Sequence, residues 1–295
     1  METLAGFGAA KVNLYLHVGP PGGDGYHPID SLMVFADVGD ALTLEPAPAP
    51  VFATRGPFAA AAPMDDANLA VRAARARLAR ARLTGVGLPA RGFRLHLEKQ
   101  LPVAAGLGGG SADAAATLRM VNAALGLGLD SAALQAIGLE LGADVPACVG
   151  SRAVVARGRG ERLSAAPRLP PLHAVLANPL SAVSTGAVFA AFDKAPPPGP
   201  LEADPPSAFE DVDGLAAWLA ARTRNDLEAP ARALCPPAGE AVDLLGGNPR
   251  ALLARMSGSG ATAFALCGDE AEAQALAGEI AAQRPLWWVR ACRLS

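Results

Sequence analysis

Four of the five residues from 106 to 110 are glycines. They stand in the run Leu101-Pro102-Val103-Ala104-Ala105-Gly106-Leu107-Gly108-Gly109-Gly110-Ser111-Ala112-Asp113. A backbone without Cβ atoms can turn its N–H groups inward and close them on a ligand. A helical pattern follows at once, from Ser111 to about Leu125, with Ala114, Leu118, Val121 and Leu125 at core-facing spacing and Gly126 as its stop. Before the loop, Phe93, Leu95 and Leu97 alternate with Arg94, His96 and Glu98, the pattern of a strand. A strand, a glycine loop and a helix N-terminus in that order bind an anion, most often a phosphate. The alternative is a glycine-rich turn that binds nothing.

Two better-known glycine loops do not fit. A Walker A loop ends in Gly-Lys-Ser/Thr, whereas here Gly110 runs into Ser111 with no lysine. A dinucleotide fingerprint needs a third glycine where Ser111 stands, although Asp130 lies at a tolerable distance for the ribose acid. Other groups able to handle protons or charge lie elsewhere. From Gly8 to Val18, residues Val12, Leu14, Leu16 and Val18 share one strand face, and Lys11, Asn13, Tyr15 and His17 share the other. That second face is either solvent-exposed or lines a site. Lysine occurs only at positions 11, 99 and 194 among 25 basic residues, so a lysine inside an apolar strand hints that a compact ammonium is wanted there. Asp144, in Ala143-Asp144-Val145-Pro146, follows a helix and precedes a proline, where it could equally cap the next turn.

The elements that must position these groups read as follows. Strands are expected at Gly8–Val18, Ser31–Ala36 and Ala41–Glu45, with a turn from Asp37 to Asp40, as an opening antiparallel meander. The alanine- and proline-rich stretch from Pro46 to Pro63 suits an irregular surface excursion. Asp65 or Asp66 can cap a helix to about Leu83, whose arginines (Arg72, Arg75, Arg77, Arg80, Arg82) form a solvated face. Ser131 can cap a helix with Leu134, Ile137 and Leu141 inward, closed by Gly142. Strand and turn follow from Arg152 to Arg162, a strand from Leu172 to Ala177, and a helix from Ser184 to Phe192. A proline-dense loop covers residues 195–206. Helices are expected at Leu215–Arg222, Leu227–Leu234 and Gly239–Leu245. The end reads strand (Leu252–Met256), the turn Ser257-Gly258-Ser259-Gly260, strand (Thr262–Cys267), helix (Glu270–Gln283) and strand (Trp287–Leu294). This α+β half with its own sheet puts a domain boundary near residues 165–180, giving domains 1–170 and 171–295.

A net charge of −3 offers no basic field for nucleic acid or an anionic membrane. No apolar run approaches the ~20 residues of a membrane span, and the N-terminus lacks the pattern of a signal peptide. The four cysteines, Cys148, Cys235, Cys267 and Cys292, are widely spaced without a Cys-x-x-Cys. Free thiols in the cytoplasm, and no zinc site, are expected.

These residues resemble the motifs of the GHMP kinase superfamily. Its central motif is similar to Pro102-x-x-x-Gly106-Leu107-Gly108-Gly109-Gly110-Ser111, and its C-terminal motif to Met256-Ser257-Gly258-Ser259-Gly260-Ala261-Thr262. Ala10-Lys11-Val12-Asn13-Leu14, Asp24-Gly25-Tyr26-His27, Asn68-Leu69, Leu141-Gly142-Ala143-Asp144-Val145-Pro146, Val183-Ser184-Thr185 with Phe189, and Asn225-Asp226-Leu227-Glu228 resemble the branch serving non-mevalonate isoprenoid synthesis. Together they cover most of the chain in order.

The resemblance implies an N-terminal α/β domain with a left-handed β-α-β unit and a ferredoxin-like C-terminal domain. It implies phosphorylation of the 2-hydroxyl of 4-diphosphocytidyl-2-C-methyl-D-erythritol by ATP with Mg²⁺. Lys11 and Asp144 would be catalytic, Asp144 taking the alcohol proton. An adjacent ammonium weakens a carboxylate as a base, so Lys11 would hold the hydroxyl and stabilise its developing alkoxide while Asp144 accepts the proton late. ATP would be bound by Asn68, Leu69 and Lys99 near the adenine and ribose. Its phosphates would lie on Pro102, Val103, Ala104, Ala105, Gly106, Leu107, Gly108, Gly109, Gly110, Ser111 and Ala112. Tyr26 and Phe189 would stack the cytosine, His27 would bond its edge, and Asn13, Thr185, Gly258, Ser259 and Gly260 would hold the rest of the substrate. No fixed protein metal ligand is implied beyond Ser111 acting through Mg-ATP. Ala112 stands where many members carry a second serine, so a hydroxyl is lost there. The implied state is a monomer or weak homodimer. Other acceptors (homoserine, mevalonate, a sugar) and a catalytically silent ligand sensor are the rival readings.

Overall fold

The computed structural model describes residues 2–23, 25–62, 65–83, 92–194 and 199–295, with backbone alone for residues 77–83. Asp24, part of one motif above, and residues 195–198 of the proline-dense loop lie outside the described residues, as do the side chains of Arg77, Arg80 and Arg82. The chain packs as two compact units. One comprises Met1–Ala10, Gly39–Val103 and Gly108–Ser151; the other comprises Lys11–Val38, Ala104–Leu107 and Arg152–Ser295. They interleave along the chain, whereas the sequence suggests a single boundary near 170. Strand pairing explains the recruitment of 29–36, whose partners lie after residue 152.

The strands β1 (Leu4–Val18) and β2 (Ile29–Ala47) contribute residues to both units. In the first unit β3 (Val51–Arg55), α1 (Leu69–Leu83) and β4 (Gly92–Glu98) form a β-α-β crossover. β3 runs parallel to β4, and β4 pairs antiparallel with Ala41–Ala47 of β2. The alternation that predicts β4 is the burial observed: Phe93, Leu95 and Leu97 are buried and Arg94 is exposed. They pack with Leu42 and Leu44 of β2, Ala70 and Ala74 of α1, and Ala116, Met120 and Val121 of α2 (Gly109–Ala124). Alanines at these helix contacts allow close backbone approach, and burying the large neighbours supplies roughly 25 cal/mol per Å². Two helices, α3 (Ser131–Leu141) and α4 (Val145–Gly150), complete this unit.

In the second unit β5 (Val154–Gly158) pairs with β2 and with β6 (Arg162–Ala165). Then follow β7 (Leu172–Asn178), α5 (Thr185–Phe192), α6 (Val212–Arg222), α7 (Glu228–Leu234), α8 (Pro236–Gly246), β8 (Ala251–Met256), β9 (Ala263–Cys267), α9 (Glu270–Gln283) and β10 (Trp288–Leu294). The sheet order β10-β7-β9-β8 is antiparallel throughout. A β-α-β-β-α-β sequence arranged fourth-first-third-second is the ferredoxin-like arrangement. Its core holds Val175, Ala177, Ala263, Ala265, Leu245, Leu276 and Ile280.

Three local expectations are corrected. No turn interrupts residues 37–40: β2 is continuous because it changes partner along its length, from β5 to β10 to β4. The carboxylates of the aspartates that suggested a turn accept backbone N–H groups instead, Asp37 from Arg293 and Asp40 from Gln100 and Leu101. Within Pro46–Pro63, Val51–Arg55 is an edge strand, its β-branched and aromatic residues pairing with β4. The helix caps also shift. Asn68 Oδ1 accepts Ala70 N–H at 2.9 Å at the start of α1, and Asp130, not Ser131, caps α3 by accepting Ala133 N–H at 2.8 Å. Asp130 is thereby accounted for without a ribose. Among the described residues no helix is long and apolar enough to cross a membrane.

Candidate active site

In the first unit, α2 begins at Gly109, two residues before the expected start, with Gly108 as its left-handed cap residue (φ 61°). A glycine cap has no side chain to cover the first turn, and the first amides of a helix have no intrahelical acceptor. A Cβ on Gly110 would meet only Leu69 Cδ1, at 3.8 Å. Leu69, the first residue of α1, therefore lies beside this mouth, with Asn68 next to it in the chain. Leu101 and Pro102 are buried, Val103, Ala104 and Gly110 are exposed, and Ser111 is half-buried. Ala112 is buried, so the methyl that replaces a second serine belongs to the helix's packed side.

Lys99 is 3% exposed. Its ammonium donates to Asp113 Oδ2 at 2.9 Å and to Asp40 Oδ2. Burial disfavours that charge, but the two carboxylates outweigh it and hold the pKa above the ordinary lysine value. Burial, with repulsion from Asp40, pushes the Asp113 carboxyl up to about 7 against the attraction of Lys99. Asp144 occupies the cap position of α4 yet accepts no capping bond from that helix, so its carboxylate is not used as a simple cap.

In the second unit, Ala104–Leu107 seat the turn at 257–260. Ser257 Oγ donates to Gly106 O at 2.9 Å, Thr262 N–H to Ala105 O at 3.1 Å, and Lys11 N–H to Leu107 O at 2.8 Å. Gly106 has φ +76°, and a Cβ there would fall 2.2 Å from Ser257 O. Asn225 Nδ2 donates to both Met256 O and Gly258 O at 2.8 Å, and Thr185 Oγ1 lies 2.8 Å from Ser259 Oγ. Asn13, Thr185, Gly258, Ser259 and Gly260 are thus gathered with the first half of the glycine loop.

The polar face of β1 is buried throughout. Lys11 Nζ donates to Asn13 Oδ1 at 2.7 Å, Asn13 Nδ2 to Ser31 Oγ at 2.7 Å, and Ser31 Oγ to Tyr15 O at 2.6 Å. The far end of that face is structural. Tyr15 packs edge-on to Trp218, and burial beside Asp30 raises its phenol pKa. His17 Nδ1 bonds Leu201 O at 2.8 Å while its Nε2 accepts Arg224 N–H at 3.2 Å. His27 Nε2 bonds Asp193 Oδ1 at 2.6 Å, and its ring lies 4.9 Å from that of Phe189. Tyr26 is 56% exposed beneath the Arg159 guanidinium, 4.7 Å from its centroid.

Among the described residues no group of three or more His, Cys, Asp or Glu could hold a metal. The donor set at the mouth of α2 is amides plus the Ser111 hydroxyl. That fits a Mg²⁺ brought by a nucleotide's phosphates and not a protein cage.

The chain matches the GHMP kinases N terminal domain over residues 68–152 and the GHMP kinases C terminal domain over residues 207–285. It is 54% identical over 293 residues to the 4-diphosphocytidyl-2-C-methyl-D-erythritol kinase of Caulobacter vibrioides (strain NA1000 / CB15N), covering 99% of both chains. The chain belongs to the 4-diphosphocytidyl-2-C-methyl-D-erythritol kinase family. The kinase of this name from Caulobacter sp. (strain K31) is 56% identical, covering 99% of this chain and 98% of the relative. A crystal structure of 4-(cytidine 5'-diphospho)-2C-methyl-D-erythritol kinase is 34% identical, with TM-score 0.77 and 99% of both chains covered. Homoserine kinase from Cytophaga hutchinsonii, at 18% identity and TM-score 0.67 over 99% of this chain and 95% of its own, shares the fold.

Within this kinase fold, four site-adjacent residues escaped the sequence reading: Asp40, Asp113, Ser31 and Asp193. Asp113 had a signal, since it stands in helical register with Thr117 and Val121, and all three are buried. Asp40 looked like a turn residue, and nothing local ties Ser31 to Asn13. Asp193 lies one helical turn after Phe189, but its partner His27 is 166 residues away.

Proposed function

We propose that the chain transfers the γ-phosphoryl of ATP to the 2-hydroxyl of 4-diphosphocytidyl-2-C-methyl-D-erythritol, releasing ADP, in non-mevalonate isoprenoid precursor synthesis. The observation that carries this reading is full-length identity of 54–56% to kinases of that name. Phosphoryl transfer asks the protein mainly for positioning and charge stabilisation. The amides from Gly108 to Ser111 bind the phosphates, and the partial positive charge of the α2 N-terminus aids them. Mg²⁺ arriving with ATP would neutralise phosphate charge, and the Ser111 hydroxyl would be the side chain offered to it.

Asn68 and Leu69 flank the nucleotide from the start of α1. Lys11, oriented through Asn13 and Ser31, holds the acceptor hydroxyl and stabilises the developing alkoxide. Asp144 accepts the hydroxyl proton. Tyr26 and Phe189 stack the cytosine, His27 bonds its edge, and Thr185, Gly258, Ser259 and Gly260 hold the remainder; each stacked ring is worth ~1–3 kcal/mol. We keep the family modules at 1–170 and 171–295, a cytoplasmic site of action, and a monomer or weak homodimer that needs neither nucleic acid nor membrane. ADP release is the test, with Mg-ATP and 4-diphosphocytidyl-2-C-methyl-D-erythritol, homoserine or mevalonate as acceptor. Turnover with the first alone is expected; turnover with another acceptor and none with the first overturns the reading.

A further inference from the structure

The cluster of Lys99, Asp40 and Asp113 is the most deeply buried set of charges in the first unit's glycine-loop region, at 3%, 0% and 2% exposure. Isolated buried charge is costly, and a buried ion pair is seldom retained for stability alone, since apolar residues of similar volume do as well or better. What such a pair supplies is direction. Here it ties three elements at one point. Lys99 follows β4, Asp40 lies on β2, and Asp113 lies in the first turns of α2. Asp40 Oδ1 also takes Gln100 N–H at 2.6 Å and Leu101 N–H at 2.9 Å, fixing the chain just as it leaves the strand for the loop. The ammonium sits directly under the helix mouth: a Cβ on Gly109 would lie 3.1 Å from Lys99 Nζ. Two of its three donor directions are taken by carboxylates inside the unit.

We infer that Lys99 is a positioning residue that acts inward through Asp113 and Asp40 to fix the first turn of α2, and that it does not itself contact the nucleotide. The inference rests on the proposed phosphate-binding role of that helix mouth. It reassigns the one lysine that the family resemblance sets near adenine, and it gives Asp113 a role. Asp113 is well suited to it. Oδ2 holds the ammonium, while Oδ1 is buried without a hydrogen-bond partner among the described residues, 2.7 Å from where a Gly8 Cβ would be. The carboxylate thus meets Lys99 through Oδ2 alone, and Gly8 leaves Oδ1 room.

A double-mutant cycle on ADP affinity, measured by calorimetry at pH 8 with the full chain, tests this. Lys99→Met and Asp113→Leu each sever the same tie, so each is expected to weaken ADP about 5- to 20-fold. The double variant should be no weaker than the worse single, because residues acting through one contact are not additive. Asp113→Asn keeps an acceptor for the ammonium and should recover most of the affinity lost in Asp113→Leu. KM for ATP should rise in the severed variants while kcat at saturating ATP stays within about threefold. Unchanged affinity in Asp113→Leu would show that the tie to Asp113 does not set the helix mouth, and additive losses in the double variant would show that Lys99 acts on the nucleotide by a route of its own; either result overturns the inference. If Lys99→Met does not fold, the Asp113→Leu and Asp113→Asn pair decides alone. A wild-type protein that binds no ADP removes the phosphate-binding reading first, and this inference with it.

Discussion

Gly106 and Gly110 stand four residues apart, one in the loop and one in the first turn of α2, yet alanine should have opposite consequences at the two. Gly106 adopts φ +76°, where an L residue is strained by about 1–2 kcal/mol. Its new Cβ would fall 2.2 Å from Ser257 O and 3.0 Å from the N and O of Gly260, all backbone atoms that cannot swing aside. Forcing them apart adds roughly 1–3 kcal/mol by the usual cost of overpacking. Gly106→Ala should therefore lose about 2–5 kcal/mol, on the order of 3–8 °C in Tm for a chain of this size. Gly110 is exposed inside α2, and its Cβ would meet only Leu69 Cδ1 at ordinary contact distance. Gly110→Ala should keep the wild-type Tm or gain up to ~1 kcal/mol from helix propensity. Its methyl projects into the space proposed for phosphate, so KM for ATP should rise without loss of fold. Thermal unfolding of both variants, with KM for Gly110→Ala, provides the check. A Gly106→Ala protein as stable as wild type, or a Gly110→Ala protein destabilised to match it, would refute the reasoning.

Asp144→Asn should lower kcat by at least 100-fold while leaving ADP affinity within about twofold, because the amide keeps the shape and cannot take a proton; near-normal kcat would remove the base assignment. His17 gives a pH signature. Burial lowers its pKa, with the Arg224 charge adding to the effect and the Leu201 carbonyl opposing it. The unfolded chain then takes up the proton first as pH falls. Stability from the neutral ring is fully present above pH ~6.5 and is lost as pH drops through the lower folded pKa. Urea midpoints at pH 7.5 and 5.0 should converge more closely in His17→Gln than in wild type, and equal acid losses would contradict this.

Much of the fold was legible because it rests on local period. The alternation at 93–98 gave β4, the helical spacing after Ser111 gave α2, and the strand and helix order after Leu172 gave an α+β half with its own sheet, while its ferredoxin-like arrangement was implied only by the family resemblance. Where local and long-range signals disagreed, long-range pairing won. Asp37 and Asp40 look like turn residues, but each is an acceptor for a distant strand end, and β2 runs straight through. Val51–Arg55 sits in proline-rich sequence and still pairs with β4. The glycine loop announced itself by composition, and Lys11 by being a rare lysine on an apolar strand. The supports beneath them did not, since Asp40 is 59 residues from Lys99 and Ser31 is 18 from Asn13. Polar contacts of that kind leave no periodic trace.

A crystal structure with a non-hydrolysable ATP analogue and 4-diphosphocytidyl-2-C-methyl-D-erythritol would bear most directly on the central claim. Hydrogen bonds from the amides of residues 108–111 to the phosphates are expected. The acceptor's 2-hydroxyl should lie between Lys11 Nζ and the Asp144 carboxylate, facing the γ-phosphoryl. Phosphates bound away from the α2 mouth, or a hydroxyl out of reach of both side chains, would contradict it.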